Sequence, residues 1–167
     1  PPPRRHFRDR YQKQSCARAI HSLSRTASRR KDHQPAPALP GVLEITAENL
    51  AKTCANCAAD KKAEDIVVLD LQGISSFTDY FVICSGTSEP HLKAIAGEIE
   101  GRLRDKHGVR AVSVDGFPAS QWIVLDYMQV IVHVFRGEKR EFYSLEDLWG
   151  DAPRVAWEPT SAGSTSA

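Results

Sequence analysis

The chain has 167 residues, enough for one domain of ordinary size plus an appendage. A hydrophobic share of 41% supports a real core, and no stretch nears the roughly 18 consecutive apolar residues that span a bilayer, so a globular fold without a membrane-spanning helix is expected. The formal net charge of +1 hides an asymmetry: residues 1–31 hold ten Arg or Lys against one acid, Asp9, whereas residues 64–155 hold nine basic and fifteen acidic residues. The acidic part is repelled by phosphate backbones, so its expected partner is a basic protein surface, and direct RNA contact is left to the basic arm.

Residues 1–42 are rich in Arg, Ser, Pro and Ala and poor in large apolar residues. They are expected to form a disordered basic arm, because they bury too little apolar area to offset ordering entropy. The chain does not open on Met. An organellar transit peptide, an RNA-touching tail and an extension upstream of the true start all fit this composition. Residues 43–155 form the expected domain, and residues 156–167 a flexible Ser/Thr/Gly/Ala tail.

Within the domain, Thr46 caps a helix predicted over 46–63, with Leu50, Cys54, Cys57 and Ala58 at helical spacing. Ile66–Leu71 and Tyr80–Cys84 read as strands separated by Gly73 and Ser75-Ser76. Ser88 is the expected N-cap of a second helix, with Pro90 in its first turn. Its buried face is Leu92, Ile95, Ala96, Ile99 and Leu103, and Gly108 is its stop. Strands are predicted at Val109–Asp115, Trp122–Tyr127 and Val130–Phe135. Gly116 and Pro118 turn the chain after the first of these, and Met128-Gln129 makes a hairpin between the other two despite unfavoured turn chemistry. A last helix is predicted over Glu138–Trp149, with Phe142, Leu145, Leu148 and Trp149 inward. The order implies an α+β fold on a single mixed sheet of about five strands, with helices packed on it.

Few residues suggest bond chemistry. A divalent cation for nucleotidyl transfer needs two acids converging at one strand end, as in Asp-x-Asp, where i and i+2 share a face. Asp70, Asp79 and Asp126 flank strands without forming such a pair. Glu98-Ile99-Glu100 has the spacing but falls on the predicted helix, where i and i+2 point about 200° apart. Ser85-Gly86-Thr87-Ser88 lacks the Lys and the length of a P-loop, so capping and tight turning account for it better than phosphate binding. Cys54-x-x-Cys57 is a lone pair, short of the four ligands of a zinc site, and no disulfide framework is evident among Cys16, Cys54, Cys57 and Cys84. No cofactor and no metal are expected.

The strand Val130–Phe135 is apolar at every position except His133, so both of its faces are covered, by helices or by a partner. Any sheet area left open would be an apolar patch suited to protein binding. Trp122 is the best anchor for such a patch, and Tyr143 a second, with an apolar ring and a hydroxyl. The plain reading of Trp122 is a core residue. His133 fits either a hydrogen-bonded core position or the partner surface. Asp79 fits turn capping, and Asp126 an acceptor for a basic side chain.

From Ala63 to Val155 the chain resembles the ribosome-silencing factor family, also called Iojap. The segments that carry the likeness are Ala63–Asp70, Ser75–Ile83, Ser85–Ser88, Trp122–Tyr127, Val130–Phe135 and Arg140–Pro153, in the family's order. The resemblance implies a nucleotidyltransferase-like fold without the catalytic acids. It implies a non-enzymatic translational repressor that binds the fourteenth protein of the large ribosomal subunit and sterically blocks joining with the small subunit under nutrient limitation. Candidate partner-binding residues are Trp122, Asp126, His133, Tyr143, Asp79 and Tyr80. The other reading is a divergent nucleotidyltransferase-like enzyme. A homodimer off the ribosome is possible through an apolar sheet face. The expected compartment is the cytoplasm, or a mitochondrion or chloroplast if the arm is a transit peptide.

Overall fold

The computed structural model describes residues 45–116 and 121–160. The expected arm at 1–42, the turn residue Pro118 and the tail beyond residue 160 lie outside the described residues. The chain divides into two units, one of Glu44–Phe142 with Asp151–Ala167, the other of Pro1–Leu43 with Tyr143–Gly150.

The first unit begins with helix α1, Ala47–Asp60, where the Thr46 side chain accepts from the Asn49 amide at 3.3 Å. Its buried face is Leu50, Ala51, Cys54, Ala55, Cys57 and Ala58. These mostly small side chains let the helix approach the sheet closely. Strands β1, Glu64–Asp70, and β2, Tyr80–Gly86, follow. Helix α2, Glu89–His107, starts at Ser88, whose hydroxyl accepts from the His91 amide, and stops at Gly108 in the left-handed region (φ 65°). Three strands complete the sheet: β3, Ser113–Asp115, β4, Trp122–Asp126, and β5, Val130–Arg136. A short helix α3, Gly137–Tyr143, follows β5.

The five strands form one mixed sheet in the order β1-β2-β5-β4-β3. Only β2 and β5 pair in parallel; the other neighbours are antiparallel. These two central strands are apolar on both faces, as parallel pairing in the middle of a sheet requires. On one face Val68, Val82, Cys84, Ile123, Leu125, Val130, Val132 and Val134 pack under α1 and α2 in a single core. At Gly86 α2 meets the sheet closely: a Cβ there would lie 2.6 Å from Leu92 Cδ2, so the Leu92 side chain would have to shift. Arg102 on α2 pairs with Asp60 at the end of α1 and with Glu98, tying the two helices together.

The structure confirms the α+β class and the single mixed sheet and revises several elements. Strand β1 begins two residues early, through a bulge at Asp65 (φ 48°). Strand β3 is three residues long rather than seven, because the Val109 amide is drawn back to the Leu103 carbonyl at the helix cap. The Met128-Gln129 hairpin forms with Met128 at φ 69°, and the Asp126 side chain holds it by accepting the Met128 amide at 2.8 Å. A carboxylate thus supplies the turn that Gly or Asn would otherwise favour.

The single helix expected over 138–149 is two. It breaks at Ser144 (φ 45°), and helix α4 is only Leu145–Leu148, within the second unit. Phe142, expected inward, is 68% exposed. Residues 156–160, expected in the tail, run along the first unit. Arg154 bridges Leu69 at the edge of β1, Trp157 packs against the core, and the Thr160 amide reaches Asn56 Oδ1 at 2.8 Å. Just before this segment, residues 153–155 cover an otherwise open strand edge, with the Asp70 amide donating to the Pro153 carbonyl and the Val155 amide to the Val68 carbonyl, both at 2.9 Å.

The Tyr127 hydroxyl is buried in the core with no hydrogen-bond partner among the described residues. A buried Tyr normally loses about 1 kcal/mol on conversion to Phe, because a hydrogen bond goes with the hydroxyl. Here Tyr127→Phe is expected to leave stability unchanged or raise it by up to about 1 kcal/mol in urea unfolding.

Candidate partner-binding face

The sheet face away from α1 and α2 carries Trp122, Asp126 and His133, because alternation places every second residue there. Register aligns Phe81, Ile131, Asp126 and Ser113 in one row across β2, β5, β4 and β3. The next row is Ile83, His133, Val124 and Asp115, and the third is Ser85, Phe135 and Trp122. Trp122 and Asp126 therefore share one face at opposite ends of β4, roughly 13 Å apart at the usual strand rise.

The middle of this face is an aromatic cluster. Trp122 stacks on Phe135 (centroids 4.9 Å apart, planes at 20°), and Phe81 meets the His133 ring edge-on at 4.7 Å. The Trp122 indole donates through Nε1 to His133 Nδ1 at 3.2 Å. Since Nδ1 accepts, the neutral imidazole carries its hydrogen on Nε2, which has no partner among the described residues. Burial alone drives the His133 pKa from 6.5 down to about 3, so the ring is uncharged at physiological pH.

Exposure sorts the candidates. His133 is fully buried, so its ring lies beneath the surface of this face. Trp122 and Asp126 are half-buried at the rim. Tyr80 points to the opposite face, where it is 4% exposed in the helix-side core. Burial, followed by the carboxylates of Asp70, Glu48 and Asp79, pushes its hydroxyl pKa up. Tyr143 ends α3 and is half-buried in the second unit. Asp79 lies just before β2, and its amide and that of Tyr80 both donate to the Gln129 carbonyl at 3.0 Å. Capping falls instead to Asp70, which accepts the Gln72 amide, and to Asp126.

Those two bonds bring the β1–β2 loop beside the β4–β5 hairpin. Exposed apolar side chains gather on these two turns: Ile74, Phe77 and Met128. Phe77 continues the aromatic cluster, 6.1 Å from Phe81. The apolar surface is thus at the sheet's rim, whereas Phe81, Ile83, His133 and Phe135 at its middle are buried. The alternation of β2 and β5 could have assigned Phe81 and Phe135 to this face. Nothing in the pattern marked Ile74, Phe77 or Met128.

Asp70 and Asp126 do not converge on one site. Asp70 sits opposite Tyr80 on the helix side, Asp126 sits opposite Ile131 on the other side, and two strands separate β1 from β4. Among the described residues no group of three or more His, Cys, Asp or Glu is placed to hold a metal. The Ser85–Ser88 loop is occupied internally: Arg140 donates to Ser85 Oγ at 2.9 Å, and the Thr87 amide donates to His91 Nδ1 at 3.0 Å. Cys54 and Cys57 are buried on α1, and burial raises both thiol pKa values.

Residues 44–167 match the family model described as ribosomal silencing factor during starvation, RsfS. The chain belongs to the RsfS family. A curated RsfS from Bacillus subtilis is 43% identical over 106 residues, 64% of this chain and 89% of the relative. The chloroplastic protein Iojap of Arabidopsis thaliana is 35% identical over 101 residues, 60% of this chain but only 42% of that longer protein. A crystal structure from Bacillus halodurans has a TM-score of 0.57 at 37% identity, covering 65% of this chain and 98% of that one.

The buried imidazole sets a pH dependence. The unfolded chain protonates His133 near pH 6.5, whereas the folded chain resists until about 3. Stability therefore falls as pH drops from about 6.5 toward 3 and is unaffected by this group above that window. Relative to His133→Asn, the native chain is expected to lose about 1.4 kcal/mol per pH unit between pH 6 and 4 in urea unfolding.

Proposed function

We propose that the chain is a translational repressor that binds the large ribosomal subunit through its fourteenth protein and sterically blocks joining with the small subunit. The observation that carries this reading is the RsfS family match across residues 44–167. The geometry is consistent with docking. The β1–β2 loop and the β4–β5 hairpin offer exposed Ile74, Phe77 and Met128 among Asp70, Asp79 and Asp126. Apolar side chains ringed by carboxylates suit a basic protein surface: apolar contact supplies affinity, and charge supplies orientation and encounter rate. Trp122 extends the contact to the far end of β4, and Tyr143 is proposed as a further contact on its own unit.

The chain acts without bond chemistry in this reading. The separation of Asp70 from Asp126 across the sheet weighs against a nucleotidyltransferase-like site. Off the ribosome, a second copy is the proposed occupant of the same rim. RNA contact is assigned to the basic arm, residues 1–42. Function in the cytoplasm follows the bacterial relatives, and function in an organelle becomes the reading if the arm acts as a transit peptide.

Sucrose-gradient sedimentation is the test. The protein is expected to travel with free large subunits and to slow their joining to small ones. Equal binding to intact ribosomes contradicts the proposal. Asp126→Asn isolates the charge, since its amide oxygen can still accept the Met128 amide. It is expected to weaken large-subunit binding about 3- to 10-fold at low salt, with little change in stability and a shrinking difference as salt rises.

A further inference from the structure

We propose that His133 is the positioning residue that fixes the Trp122 indole on the partner-binding face. The inference rests on the reading of Trp122 as a contact and assigns a task to a side chain that cannot itself reach a partner. His133 is fully buried, midway along β5, beside Phe81 and Phe135. Packing alone would be served there by Leu or Phe. The chain instead keeps a polar ring whose Nε2 finds no partner among the described residues. A buried orphan of this kind calls for a reason.

The reason lies on the other nitrogen. Stacking on Phe135 holds the indole plane at 4.9 Å, but a stacked ring can still turn over within that plane's limits, because the torsion to an aromatic ring is broad and roughly two-fold. The hydrogen bond from Trp122 Nε1 to His133 Nδ1 selects one of these arrangements. Trp122 enters β4 at the sheet's rim and is half-buried, so the selected arrangement determines which ring edge faces outward. The stack and the bond act at two different points on one ring, and together they leave it a single orientation. A partner then meets a pre-set indole and does not have to order it on binding.

The test uses the full-length chain. Asn at position 133 can place an oxygen near the Nδ1 position, whereas Leu keeps apolar bulk and removes the acceptor. In His133→Leu, the Trp122 indole N–H resonance is expected to move and its hydrogen exchange to accelerate about 10-fold or more. Large-subunit affinity is expected to fall about 10-fold, as in Trp122→Phe, with no further loss in the double variant. His133→Asn should restore both the indole signature and most of the affinity. An unchanged indole signature in His133→Leu overturns the proposal, as does a changed signature with native affinity. If His133→Leu does not fold, a folded His133→Asn variant that keeps the indole signature but binds weakly overturns it equally. Native affinity in Trp122→Phe instead removes Trp122 as a contact, a failure distinguishable from loss of the hydrogen bond because the indole is read in the free protein.

Discussion

The parallel pairing of β2 with β5 is the constraint on which the rest of the structure depends. It places two strands in the middle of the sheet, each apolar on both faces. Parallel neighbours cannot be joined by a tight turn, so the chain must leave the sheet and return. It does so through α2, which covers one face, and then through β3 and β4, which extend the sheet beyond β5. The helix side is thereby settled: α1 and α2 bury it, with small residues along α1 and Gly86 permitting close approach.

The opposite face follows from the same pairing. Its residues are fixed by alternation, and they differ in character from the aliphatic helix side. Phe81, His133, Phe135 and Trp122 form a contiguous aromatic group, with one hydrogen bond inside it. Aromatic rings bury large areas with few rotatable bonds, which suits a buried layer that must hold the rim beside it in shape. At the end of this face the two adjoining turns project apolar side chains among acids. The acidic balance of the domain, obscured by a basic arm in the whole-chain charge, thus has a local structural expression.

Much of the architecture was legible because its signals are local. Thr46, Ser88 and Gly108 are capping residues whose side chains or backbone freedom fix helix ends without help from distant contacts. The β-branched runs gave the strands, and the matched blocks gave the family. What was not legible depends on side chains substituting for the usual turn residues. Asp126 lets Met128 adopt a positive φ, and Ser144 breaks a helix at a position with no glycine. Trp157, within a stretch that reads as a polar tail, joins the core because the chain doubles back along β1. Tyr80 and His133 were separable from true surface positions only once register showed which face each occupies and how deeply.

The proposed docking surface is the rim of the sheet, the β1–β2 and β4–β5 turns together with Trp122, and not the helices. Hydrogen–deuterium exchange on the chain, free and with saturating large subunits, tests this directly. New protection is expected at residues 72–79 and 122–129, with α1 and α2 unchanged. Protection confined to the outward surfaces of α1 and α2, with the two turns exchanging as in the free chain, would contradict it.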